Sequence, residues 1–217
     1  MPATNWFAGM ARSYSWNFKV FNGGNMAAKP GERKLQILQT VAQMLEQPKG
    51  EKITTAALAA KLELSEAALY RHFASKAQMF EGLIEFIEQT VFGLINKITQ
   101  EEKSGLQQTE AIVSMLLGFA QKNRGMTRVL IGDALVNEDE RLQRRINQLL
   151  DRIEATLKQS LRMAVTQGEM GEAADVGAHA NLLVCYVIGR WQQFAKSGFA
   201  RDPVAQWPAQ SAMLLGK

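Results

Sequence analysis

Residues 53–76, ITTAALAAKLELSEAALYRHFASK, constrain the fold more than any other stretch of the chain. Leu58, Ala59 and Leu62 recur at helical spacing after Thr54 and Thr55, whose hydroxyls suit an N-cap. Ser65 opens a second short helix, and Glu66 stands in its first turn, where the helix dipole favours a negative charge. Leu69 and Phe73 turn one face of SEAALYRHF inward onto Leu58 and Leu62. The opposite face carries Ala67, Tyr70, Arg71 and His72, small residues first and hydrogen-bond donors last, as suits a helix entering a major groove between phosphates. Ser75 caps a third helix, with Gln78 three residues on as in a capping box. The spacing predicts a helix-turn-helix.

Spacing alone is also met by an amphipathic helix pair packed for structural reasons. The run Leu69, Tyr70, His72, Phe73, Ser75, Lys76, preceded by Leu64 and Ser65, resembles the signature of the tetracycline-repressor (TetR) family of dimeric bacterial regulators. That resemblance implies that Tyr70, His72 and Lys76 contact phosphates while the start of the second helix reads bases, and the expected DNA-contact residues are Thr54, Thr55, Ser65, Glu66, Ala67, Ala68, Tyr70, Arg71, His72 and Lys76. Glu63 departs from the pattern, since glycine usually holds this turn position. A left-handed conformation costs a residue with a side chain roughly 1 kcal/mol.

From Arg33 onward the chain reads as helix after helix, and no segment alternates as a strand does. The fold class expected is all-α, a three-helix head at residues 26–80 on a helical dimerisation and partner-binding body at residues 81–217. Leu35, Leu38, Ala42 and Leu45 mark the core face of a first helix ending near Pro48 and Gly50. A long helix is expected from about Lys76 to Thr99, with Met79, Leu83, Phe86, Ile87, Val91, Leu94, Ile95 and Ile98 as its stripe. Residues 101–105 read as a loop, followed by helices near Thr109–Lys122, Met126–Val136 and Asp139–Gln167. The last has the stripe Leu142, Ile146, Leu149, Ile153, Leu157, Leu161, with charge pairs Glu140–Arg144 and Glu154–Lys158 outside. Ala173 to Lys196 is apolar nearly all round, so it needs cover on both sides, from a subunit partner or from its own chain. Pro203 is expected to restart a terminal helix through Trp207 and Leu214.

Composition narrows the function. The 217 residues hold 47% hydrophobic and 21% charged residues, as in a globular chain. No apolar run is long enough for a membrane span. The single Cys185 cannot form an intrachain disulfide, fits a reducing cytoplasm, and is expected to be buried. Residues 26–80 carry 8 Lys+Arg against 5 Asp+Glu, whereas residues 81–217 carry 15 against 16, so the basic excess lies in the head, as for a nucleic-acid partner. Residues 1–25 hold six aromatic side chains and no acid. They are expected to be a non-native leader upstream of a start at Met26, or an aromatic arm for nucleic acid or a membrane surface.

Catalysis finds little support. Only His72 and His179 exist, His179 and Cys185 fall on different faces of one helix, and phosphate-binding glycine loops are absent. No metal or cofactor is expected.

Further stretches, ITTAALAAKL, MFEGLIEFIE, LLGFAQKNRGMTRVL, DERLQRRINQLLDRIEA and AQWP, resemble the nucleoid occlusion branch of the TetR family. That branch implies a nucleoid-associated cytoplasmic homodimer on palindromic double-stranded DNA that blocks the division protein FtsZ when DNA-bound. The FtsZ tail would dock between the fourth and fifth helices at Phe86, Gly118 and Asn123, while Leu94 and Lys122 depart from the arginines expected there. Gly118 inside a helix permits either close approach of a peptide or a helix–helix contact. The alternative function is a ligand-responsive repressor with a pocket lined by Phe119, Trp191 or Phe194.

Overall fold

A computed structural model describes residues 30–47 and 53–216. The leader at residues 1–25 and the expected stop at Pro48 and Gly50 lie outside them. The helices are α1 Pro30–Leu45, α2 Thr55–Lys61, α3 Glu66–Tyr70, α4 Lys76–Glu101, α5 Gly105–Lys122, α6 Arg124–Leu130, α7 Glu140–Thr166, α8 Val176–Lys196 and α9 Trp207–Leu215, with a 3-10 turn at Asp133–Leu135. No strand occurs among the described residues.

Capping explains most boundaries. Thr54, Ser65, Ser75 and Ser104 each accept a hydrogen bond from the backbone N–H three residues on, at Ala57, Ala68, Gln78 and Gln107. Gln78 reaches back so that its Oε1 accepts from Ala74 N at 2.9 Å, completing a reciprocal cap one residue earlier than the usual box. Asp139 caps α7 by accepting from Arg141 N, two residues on, and Asp175 caps α8 by accepting from both Gly177 N and Ala178 N.

α1 and α2–α3 form the head, and α4, roughly 39 Å long at ~1.5 Å per residue, runs from it into the body. In the body α7 packs against α5 and α8, and α5 against α8. The α7 stripe is as expected: Leu142, Ile146, Leu149, Ile153, Leu157 and Leu161 are all buried. Trp191 of α8 is sunk in the core, and its Nε1 donates to Leu116 O at 3.1 Å.

Several boundaries and faces differ from expectation. α5 starts at Gly105 because that residue abuts α7, where a Cβ would lie 2.2 Å from Ala164 N, a contact invisible in the polar run GLQQ. α4 runs on through Glu101, so residues 102–104 alone form the loop between them. α6 is shorter than expected and shifted toward the N-terminus: Asn123 alone joins it to α5, and Gly132, at φ 76°, ends the segment in a left-handed turn. α9 begins at Trp207 rather than Pro203, with Pro208 in its first turn. On α1 the inward residues are Ile37, Val41, Ala42 and Leu45, whereas Leu35 is exposed, because this helix must meet α6 as well as the head. Cys185 is exposed, not buried, since the residues that α8 buries are Ala180, Leu183, Val184, Val187, Trp191, Phe194 and Ala195, and Cys185 is not among them.

Candidate nucleic-acid interface

The turn between α2 and α3 takes the strained conformation that the sequence implies. Glu63 sits at φ 53°, and Leu64 N donates to Ala59 O at 2.9 Å to close the reversal. Behind it Leu58, Leu62, Leu69 and Phe73 are buried together, so α3 is held by its apolar side. Its other side is free. Ser65, Glu66, Ala67, Tyr70 and Arg71 are exposed, Ala68 and His72 half-buried, and Thr54 and Thr55 flank them at the start of α2. Nine of the ten expected contact residues therefore crowd around one short helix and the cap beside it, a surface of small side chains, hydroxyls, one carboxylate, one imidazole and one guanidinium.

Thr55 and Glu66 interact directly: Thr55 Oγ1 donates to Glu66 Oε2 at 2.7 Å, bridging α2 and α3. Tyr70 is 43% exposed. The tenth residue, Lys76, is engaged within the chain. Its ammonium pairs with Glu138, which lies in the loop before α7, and stands 5.7 Å from the Phe80 ring centre. No local spacing points to Glu138, which is 62 residues away.

The head is seated on the body through α1 and α6. At Gly125 the helices come so close that a Cβ would lie 1.9 Å from Ala42 O. On the far side of α4, Arg145 of α7 makes paired hydrogen bonds to Glu88 at 2.7 and 3.2 Å. The hydrogen bond to Glu88 is the main cause that raises the Arg145 guanidinium above its ordinary range, with the negative charges of Glu88, Glu85 and Glu81 acting the same way against the opposing effect of partial burial.

The residues expected at a partner groove are placed differently from one another. Phe86 on α4 and Asn123 after α5 are half-buried, but Gly118 is buried, which favours the helix–helix contact over an open face for a peptide. Asn123 organises the α5–α6 junction: its Nδ2 donates to Phe119 O at 2.8 Å and its carbonyl accepts from Thr127 N at 2.9 Å. Leu94 is half-buried and Lys122 exposed. Phe119, Trp191 and Phe194 are all buried, with Phe194 packed edge-on against Phe199.

Two family models match the chain. Residues 43–83 match bacterial regulatory proteins of the tetR family, and residues 103–217 match the SlmA-like form of the tetracyclin repressor-like C-terminal domain. A nucleoid occlusion factor SlmA from Alteromonas mediterranea is 52% identical over 186 residues, 86% of this chain and 95% of that protein. The chain belongs to the SlmA branch of the TetR family. Namesakes from Marinomonas sp. and Idiomarina loihiensis are 49% and 47% identical, over 87% and 88% of this chain and 96% and 99% of theirs. Among solved structures, a TetR family regulator from Agrobacterium tumefaciens matches with a TM-score of 0.72 at 16% identity, covering 87% of this chain and 98% of that one. The regulator PfmR from Thermus thermophilus gives 0.70 at 21%, covering 83% and 97%. These two establish the fold, and the SlmA relatives establish a DNA-binding regulator, not an enzyme. Among the described residues no helix is long and apolar enough to cross a membrane.

Proposed function

We propose that this chain is a homodimeric nucleoid occlusion factor, which binds palindromic duplex sites through its head and, when DNA-bound, inhibits assembly of FtsZ. The supporting observation is that identity of about half extends through the body, over 95% of the Alteromonas mediterranea SlmA and not merely over the head that all TetR regulators share. In this reading residues 26–80 are the DNA-binding unit and residues 81–217 the dimerisation and partner-binding unit. Thr54, Thr55, Ser65, Glu66, Ala67 and Ala68 approach base edges, and Tyr70, Arg71, His72 and Lys76 approach phosphates.

The second copy covers the open side of α8, where Leu182 is 52% exposed and Cys185 and Gly189 are exposed, and Met213 of α9 is 82% exposed as well. A two-fold dimer then presents its two α3 helices about 34 Å apart, to half-sites one turn apart. Coupling between DNA and FtsZ follows from linkage. α4 begins beside the reading helix and carries Phe86 in its middle. If DNA selects one spacing of the heads, and FtsZ prefers that same state, each ligand strengthens the other by the same factor.

The alternative of an inducer-responsive repressor gains no support from Phe119, Trp191 and Phe194, which are packed into the core. Mapping of bound sites across the chromosome tests the choice. Dozens of scattered sites, with FtsZ polymerisation slowed only when a duplex containing such a site is added, is the expected result. A single site beside the protein's own gene and no effect on FtsZ would leave the repressor as the better reading.

A further inference from the structure

We infer that Glu66 is a specificity-determining residue that accepts a hydrogen bond from the N4 amino group of a cytosine in each half-site; this rests on the DNA-reading role proposed for the head. Glu66 is exposed on α3 amid the residues turned away from the core. None of the ion pairs among the described residues includes it. A carboxylate carried toward duplex DNA with no cation beside it is repelled by the phosphates, and only hydrogen-bond donors on the bases offset that. In the major groove those donors are the amino groups of cytosine and adenine.

Its geometry limits the choice further. Thr55 Oγ1 donates to Oε2, so one carboxylate oxygen is already partnered and the group is oriented by a residue on a different helix. Oε1 is left to accept from the DNA. Adenine presents the N7 acceptor beside its N6 amino group, which faces a carboxylate with repulsion, whereas cytosine presents N4 with no acceptor of its own beside it. The neighbours on this face, Ala67 and Ala68, have no side-chain donors or acceptors, so Glu66 supplies the chief polar base contact of α3 itself. For this contact Thr55 is a positioning residue, because its hydroxyl donates to the Glu66 carboxylate and orients it.

The experiment is selection of preferred duplexes from a randomised pool by the full-length wild type and by Glu66→Gln, Glu66→Ala and Thr55→Val. The wild type is expected to select a C·G pair at one position of each half-site. Glu66→Ala should lose the preference there, roughly 5- to 150-fold, and keep it elsewhere. Glu66→Gln should move the preference at that position to A·T, because a carboxamide pairs with adenine N6 and N7 together. Thr55→Val should weaken the C·G preference without replacing it. A change of base preference requires a folded head, so Glu66→Gln separates reading from folding. If Glu66→Ala and Glu66→Gln both keep the wild-type preference at every position, or lose affinity for all sequences alike, the proposal is overturned while DNA reading by the head stands. A wild type that selects no sequence would overturn both.

Discussion

Lys76, the first residue of α4, forms an ion pair with Glu138 of the loop before α7, so a side chain of the DNA-binding signature is held by the body in the free chain. A phosphate that takes Lys76 must displace Glu138. Both side chains keep partial exposure, 28% and 18%, so the pair is weakly stabilising and can be exchanged. Glu138→Gln is therefore expected to raise affinity for all duplexes by roughly two- to five-fold. Lys76→Ala should weaken all sequences alike and reduce the salt slope by ~0.9 units of log K per log salt, the share of one phosphate. Fluorescence anisotropy across a salt series checks both, and a Lys76→Ala slope equal to that of the wild type would return Lys76 to a purely internal role.

The head–body joint and the strut give opposite expectations for the same substitution. Gly125→Ala would press a Cβ to 1.9 Å from the Ala42 carbonyl oxygen, which is backbone and cannot swing aside, so α1 and α6 must separate. Overpacking of this kind costs about 1–3 kcal/mol, a fall in melting temperature of roughly 2–12 °C. Gly93, exposed in the interior of α4, has nothing within 4 Å of an added Cβ, and Gly93→Ala should stabilise by roughly 1 kcal/mol. Thermal denaturation of the two variants should thus bracket the wild type.

Periodicity reveals what each helix does by itself and misses what two helices do to each other. The stripe from Leu142 to Leu161 was legible because a 27-residue helix repeats its apolar positions six times against one core. The strain at Glu63 was legible because the turn motif demands it. The caps Thr54, Ser65 and Ser75 were likewise local, each closing on a backbone N–H three residues on. By contrast, Leu35 was misassigned because α1 serves two neighbours, and its inward side follows Ile37 and Val41 toward α6. Cys185 was misread as buried because an apolar sequence cannot say which side of α8 its own chain leaves open. In the candidate site, Tyr70 and Arg71 were visible in the motif, but Glu138 and the Thr55–Glu66 bridge join segments that no spacing rule connects.

Exposure on α8 separates interface residues from core residues. Val187 is buried within its own chain, so Val187→Glu is expected to unfold the body rather than release a monomer. Leu182 projects from the open side, and Leu182→Glu should keep the helical content while placing an unpaired charge in the dimer contact. Such a charge costs roughly 2–5 kcal/mol, so the dimer dissociation constant should rise about 30-fold or more. Sedimentation equilibrium with circular dichroism reads both quantities; a Leu182→Glu protein as dimeric as the wild type would place the interface elsewhere.

Acid should act on the body through the N-caps of α7 and α8. The side-chain hydrogen bond from Arg141, joined by that residue's backbone N–H, lowers the Asp139 carboxyl from 3.8 to about 2. Backbone N–H groups of Ala178 and Gly177 lower Asp175 in the same direction. A carboxyl whose folded value is depressed contributes stability that is fully present above its ordinary range and is lost as pH falls through the folded value. The contribution of Asp139 should therefore be complete at pH 5, decline between about pH 4 and pH 2, and be gone below. Asp139→Asn retains an oxygen that can accept from Arg141 N but removes the charge, so it should melt below the wild type at pH 5 and approach it as pH falls to 2. Carbon-detected NMR of the Asp139 carboxyl gives the direct check: titration near the ordinary carboxylate value would mean that Arg141 does not hold it in solution, and the acid-dependent difference between the two proteins should then be absent.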